Sequence, residues 1–169
     1  MQEAEHPEGT TLPIATVAGA FRAAFSTQGL RRLLFTDEPP KATAPDQRAQ
    51  DLAGQLDEYF SGGRTAFTVP LDPRGTPFQL RVWEELRRIP YGETRSYLEV
   101  ARAIGAPDRA RAVGAANGAN PIPILVPCHR VIGSDGSLVG FGAGLDWKRR
   151  LLDVERPQLS LVLDGRPQL

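Results

Sequence analysis

The sequence predicts an α+β (α/β) chain of unequal parts. A small N-terminal sheet-plus-helix domain spans 1–72, a mostly helical C-terminal domain with a helix-turn-helix spans 73–157, and 158–169 form a tail. Three observations predict this. Residues 12–35 alternate weakly between apolar and polar positions, the period of a strand. Residues 46–60 place Ala49, Leu52, Ala53, Leu56 and Phe60 at helical spacing. Beyond Asp72-Pro73-Arg74-Gly75, a turn and the expected domain junction, short helical patterns follow one another.

In chain order, residues 1–10 read as a loose end. A β-hairpin is expected from Ile14–Phe25 and Leu30–Thr36, reversing at Thr27-Gln28-Gly29. Residues 37–45 carry three prolines and read as a surface loop. The helix over 46–60 stops at Ser61-Gly62-Gly63, and Ala66–Leu71 reads as a further strand. Thr76 caps the next helix, with Pro77 at its first position and Phe78, Val82, Trp83 and Leu86 on its apolar face. Ile89-Pro90-Tyr91-Gly92 ends it. A short helix over Ser96–Ile104, a turn at Gly105-Ala106, and a helix from Pro107 to about Ala116 make the helix-turn-helix. Prolines 121, 123 and 127 exclude a helix interior or central strand, so 120–128 should run extended and deliver Cys128. Val131-Ile132 reads as a short strand, 140–144 as a glycine-rich loop, and Leu145–Val154 as the last helix.

Composition narrows the function classes. Of 169 residues, 41% are hydrophobic and 24% charged, as in an ordinary globular protein. No apolar run approaches a membrane span, and the N-terminus has no signal-peptide pattern, so a cytoplasmic, reducing setting is expected. One cysteine excludes an internal disulfide framework and any cysteine-rich zinc site. The net charge is zero but unevenly spread: −3 over 1–76, +4 over 77–150 and −1 over 151–169. Eighteen of the 20 basic residues are arginine. A positive segment suits a polyanion partner, and a solvated surface is the plain alternative. Residues 108–117 are almost all small apart from Arg109 and Arg111. Such a helix can approach a surface closely or simply pack tightly against a neighbour.

The richest stretch is Val126-Pro-Cys-His-Arg130, which holds the only cysteine and one of two histidines. A thiol beside an imidazole reads as a reactive-cysteine site, because the thiolate is the nucleophile and something must take its proton. The plain alternative is a buried, inert cysteine.

Several ordered motifs resemble those of the O6-alkylguanine-DNA alkyltransferases over about residues 64–156. They are Asp72-Pro-Arg-Gly-Thr-Pro-Phe78, Tyr91-Gly-Glu-Thr94 with Ser96-Tyr97, Arg111-Ala-Val-Gly114, Asn120-Pro121 and Pro127-Cys-His-Arg130. The first 60 residues are only loosely similar. The resemblance implies direct reversal of DNA damage: an alkyl group passes from guanine O6, less readily from thymine O4, to the cysteine. Each molecule reacts once, with no cofactor. It implies a monomer that binds double-stranded DNA through the minor groove.

Carried over residue by residue, the resemblance makes Cys128 the nucleophile, activated by His129 through a water, with Glu155 orienting His129. Asn120 braces the cysteine loop, and Tyr97 donates a hydrogen bond to the guanine ring. Arg111 fills the stack when the target base flips out, as a base inside a duplex cannot reach a cysteine in a pocket. Arg109, Ser96, Ala112, Gly114, Ala115 and Arg130 join it as DNA-contacting residues. Val139, Gly140, Phe141 and Gly142 line the base pocket. Phe141 and Gly142 depart from the tyrosine and serine of the vertebrate-type pattern, losing a hydroxyl at each position. Some vertebrate members hold zinc in the N-terminal domain; this chain has only His6 there and no cysteine, so no metal is expected. Three competing readings are weaker. A non-reacting lesion binder lacks the cysteine, a regulator needs an effector domain, and a cysteine hydrolase needs a second histidine better placed than His6.

Overall fold

The computed structural model describes residues 10–38 and 42–156. The loose end over 1–9, His6 and the tail over 158–169 lie outside the described residues.

The N-terminal half begins with three antiparallel strands in sequence order: β1 (Leu12–Thr16), β2 (Gly19–Phe25) and β3 (Leu30–Thr36). The expected single strand over Ile14–Phe25 is therefore two, reversing at Val17-Ala18. Neither residue favours turns. The Thr16 hydroxyl spans the reversal, donating to Gly19 O at 2.7 Å and accepting from Ala18 N–H at 3.2 Å. Val17 N–H on Asp57 Oδ1 at 2.7 Å and Arg150 Nη1 on the Ala18 carbonyl at 3.0 Å hold it from outside. Ile14, Phe21, Ala23 and Leu33 turn inward from the sheet. Helix α1 (Gln47–Phe60) packs on β1, with Asp46 capping its first turn.

Ala66–Leu71 does not form a strand. It supplies one parallel bridge at Leu71, where Leu30 N–H meets Pro70 O and Asp72 N–H meets Leu30 O, both at 2.8 Å. The prolines at 70 and 73 lack the N–H groups that would extend the ladder. The approach is so close that a Cβ on Gly29 would stand 2.5 Å from Pro70 O.

The C-terminal half holds α2 (Pro77–Arg87), α3 (Tyr97–Ala103), α4 (Ala110–Gly118) and α5 (Leu145–Val154). Capping boxes start α2 at Thr76/Gln79 and α3 at Ser96/Glu99. Gly105, at φ +75°, makes the turn toward α4. Helix α4 begins at Ala110 rather than Pro107, the residues between forming a turn. Helices α2, α3 and α4 pack on one another. The expected strand β5 (Val131–Ile132) pairs in parallel with β4 (Arg95–Ser96), which the sequence reading lacks, and ties the start of α3 to the cysteine segment.

One hydrophobic cluster runs through both halves. Phe21, Phe35 and Phe60 from the N-terminal half surround Trp147 of α5, with ring centroids 4.9 to 6.2 Å from it. No described helix is long and apolar enough to cross a membrane.

Candidate active site around Cys128

Residues 120–128 do not run extended. They fold into consecutive turns, because the Asn120 side chain supplies bonds the prolines cannot. Its Nδ2 donates to Val126 O at 2.8 Å, and its Oδ1 accepts from Ile122 N–H at 3.0 Å. Ile124, wholly buried, sits at φ +74°. A β-branched residue there costs on the order of 1–3 kcal/mol and persists only where its surroundings over-determine it. Cys128–Arg130 then make one 3-10 turn, with Asn117 Nδ2 on Cys128 O at 3.3 Å.

Behind the cysteine lies a closed ionic network. His129 is fully buried, and its Nε2 is 2.7 Å from Glu155 Oε1. Arg130 grips the same carboxylate in bidentate fashion, Nε to Oε2 at 2.9 Å and Nη2 to Oε1 at 2.8 Å, while Nη1 donates to Ile89 O at 2.7 Å. Burial raises the Glu155 carboxyl, but the His129 and Arg130 bonds outweigh it and bring it down to about 2. Glu155 is therefore ionised and acceptor-only, so His129 Nε2 carries the proton and Nδ1 the lone pair. Nδ1 has no hydrogen-bond partner among the described residues. Burial also pulls the imidazole below its ordinary value despite Glu155, leaving it neutral near pH 7.

In front of the cysteine is a cavity of about 630 Å³. Its wall combines Leu34 and Phe35 of β3, Asn120 and Pro121, and Phe141 and Trp147. Burial pushes the Cys128 thiol up to about 11, against the lowering effects of Asn120 and Lys148. The resting sulfur is a thiol that needs a base.

Of the expected pocket loop, Gly140, Phe141 and Gly142 line the cavity. Val139 does not: its side chain is exposed and its carbonyl accepts from Tyr97 Oη at 3.0 Å and Lys148 Nζ at 2.9 Å. Arg111 and Ala115 are exposed on α4, while Ala112 and Gly114 are half-buried. Gly114 lies against the Tyr97 ring, where α3 meets α4. Arg109 is exposed and stacks on Phe78 at 4.1 Å. The Ser96 hydroxyl accepts from Glu99 N–H at 3.1 Å as the α3 cap. Arg130 needs correction: expected on DNA, it is buried and its guanidinium is committed to Glu155 and Ile89.

Sequence reasoning missed Lys148, Tyr59 and the β3 wall. Lys148 is fully buried and donates to Val139 O and Gly140 O, pinning the glycine loop. Its signal was available: Lys148, Leu151 and Glu155 share one helix face at i, i+3 and i+7. Among the described residues, no three His, Cys, Asp or Glu side chains cluster to hold a metal.

The family models described as 6-O-methylguanine DNA methyltransferase match this chain twice, the ribonuclease-like domain over residues 14–73 and the DNA binding domain over 77–157. The methylated-DNA–protein-cysteine methyltransferase of Mycobacterium tuberculosis is 57% identical over 129 residues, covering 75% of this chain and 78% of the relative. That of Methanosarcina acetivorans is 46% identical over 143 residues, covering 81% and 92%. The crystal structure of Mycobacterium tuberculosis OGT in complex with DNA superposes with a TM-score of 0.77 at 48% identity, covering 86% of this chain and 92% of that one. An O6-methylguanine DNA methyltransferase from Methanococcus jannaschii gives 0.65 at 25% identity, over 85% and 92%. With its cysteine set between a buried imidazole–carboxylate pair and an open cavity, and with relatives of this identity over most of their length, the chain belongs to the methylated-DNA–protein-cysteine methyltransferase family.

Proposed function

We propose that this protein repairs DNA by moving an alkyl group from guanine O6, and more slowly from thymine O4, onto Cys128, once per molecule and without a cofactor. The observation that carries this reading is Cys128 at the cavity wall, followed directly by a neutral His129 whose Nε2 is tied to Glu155 at 2.7 Å.

Duplex DNA docks through its minor groove on α4, whose small residues allow close approach. Arg111 takes the place of the extruded base, with Arg109 and Ala115 beside it. The base enters the cavity against Phe141. Tyr97 Oη, bonded to Val139 O in the free protein, turns to the guanine ring. The Cys128 proton passes to His129 Nδ1 through a bridging water. The thiolate sulfur then bonds to the alkyl carbon, and the carbon–O6 bond breaks with its electron pair left on O6. Guanine is restored when it takes up a proton, for which Tyr97 offers a donor that steadies the developing charge. The thioether is stable, which ends the reaction. Residues 1–72 act as the N-terminal domain and 73–157 as the DNA-binding and transfer domain of a cytoplasmic monomer.

The test is a titration of duplex O6-methylguanine with increasing protein. Restored guanine should rise in proportion to protein and stop at one per molecule, and Cys128→Ser should restore none. Repeated turnover, or activity in Cys128→Ser, overturns the reading.

A further inference from the structure

Tyr59 belongs to α1, 96 positions before Glu155, yet its hydroxyl donates to Glu155 Oε1 at 2.8 Å. The side chain is fully buried, and its ring is held by Phe60, Phe67 and Tyr91 with centroids at 5.3, 5.4 and 6.3 Å. We propose that Tyr59 is a positioning residue for alkyl transfer, fixing Glu155 so that His129 is held ready to take the proton of Cys128. This rests on the alkyl-transfer reading above.

Glu155 Oε1 accepts from three donors: Tyr59 Oη, His129 Nε2 and Arg130 Nη2. Two of them come from the cysteine segment, and Tyr59 alone comes from the N-terminal half. Of the two neutral donors, it is the one that takes no part in the proton transfer. Burial and the charge of Glu155 hold its phenol far above the ordinary range. Burial opposes protonation of His129 most; among the charged groups around it, Glu155 favours the protonated form, and Arg130 and Lys148 oppose it. Tyr91 packs edge-on against the Tyr59 ring and carries the Arg130 guanidinium over its own. A hydrogen bond from Tyr59 draws charge from Oε1 and so weakens the hold of Glu155 on an imidazolium. Without the hydroxyl that hold strengthens. His129 then stays protonated to higher pH, where it cannot serve as a base.

The test uses the full chain and Tyr59→Phe, which keeps the ring. One readout is the pH dependence of Cys128 methylation by duplex O6-methylguanine. The other is the titration of the His129 imidazole followed by proton–nitrogen NMR in the unreacted protein. His6 is the only other histidine, so His6→Gln assigns the signals. Tyr59→Phe should raise the His129 midpoint and the acid limb of the rate profile together by about half a pH unit. The rate on that limb then falls about threefold while the alkaline plateau changes less than about twofold. Replacing Tyr59 with 3-fluorotyrosine, a stronger donor of nearly the same shape, should move both down; this arm decides the matter if Tyr59→Phe folds poorly. Superimposable profiles overturn the proposal. So does a uniform rate loss with His129 unshifted, which marks a purely structural contact. If the wild-type chain leaves Cys128 unmethylated while the NMR shifts still occur, it is the alkyl-transfer reading that fails, and this proposal with it.

Discussion

His129 Nε2 and Glu155 Oε1 lie 2.7 Å apart with both side chains sealed from solvent. The pair is built from two ends of the C-terminal half: His129 from the 3-10 turn that carries Cys128, Glu155 from the residue that ends α5. Burial, helped by the charges of Arg130 and Lys148, outweighs the pull of Glu155, so the imidazole stays neutral beside the carboxylate. On the function proposed above, a neutral imidazole beside a protonated thiol is the arrangement that transfer needs.

A neutral, buried His129 makes folding stability depend on pH. The imidazole lies below its ordinary 6.5 when folded, so the unfolded chain binds the proton first. Stability is then lost as pH falls below about 6.5 toward the lowered folded value, with a slope of up to roughly 1.4 kcal/mol per pH unit. Urea unfolding between pH 8 and 5 should show this slope in the wild type and not in His129→Gln.

Glu155→Gln removes the charge but keeps the shape. Arg130 is left buried without a counter-charge, at a cost of about 3–5 kcal/mol near pH 7. The carboxyl is depressed to about 2 from its ordinary 4.5, so its contribution is complete above about 4.5 and is lost as pH falls through about 2. The gap between variant and wild type in urea unfolding should therefore hold from pH 8 to 5 and close toward pH 2. Methyl transfer should fall by roughly 10²-fold, the usual worth of a positioned base.

Cys128 should be a sluggish thiol in the absence of DNA. With its thiol at about 11, its thiolate fraction at neutral pH is more than about 10²-fold below that of an ordinary thiol near 8.5. Iodoacetamide labelling followed by mass should be slow at pH 7.5 and climb through pH 10 without levelling off. A plateau near pH 8.5 contradicts this.

The sequence carried much of the helical frame. Helix α5 was legible over its whole length because its apolar positions and glycine-rich start agree. The cap of α2 rests on short-range bonds that Thr76 makes within four residues, so spacing reveals it, whereas Ser96 reads as the first residue of α3 and proves to be its cap. The Cys128–His129–Glu155 set was reached through the family's motifs rather than from spacing. What stayed hidden depends on distant partners. The Val17-Ala18 reversal is held in part by Asp57 and Arg150, beyond the local bonds of Thr16. The turns over 120–128 are held by Asn120, where three prolines suggest only an extended run. In α1, Phe60 reads as the buried aromatic, but Tyr59 is the one fully enclosed, because a carboxylate 96 positions away receives its hydroxyl. Arg130, expected on DNA from the family resemblance, is drawn inside by Glu155.

If the alkyl group enters the cavity as proposed, the β3 wall should limit its size. Leu34 faces the cavity that Cys128 shares. Leu34→Trp should leave methyl transfer within about twofold and slow benzyl transfer by about tenfold or more, the usual worth of a filled apolar pocket. Rates with the two lesions in the same duplex check it, and equal slowing of both would place the alkyl group elsewhere.

The most direct measurement is the mass of the intact protein, with peptide mapping, after mixing with a duplex carrying one O6-methylguanine. The account predicts one methyl group per molecule, on the peptide that contains Cys128, and restored guanine in the DNA. An unmodified Cys128 beside repaired DNA, or a methyl group on any other residue, would contradict it.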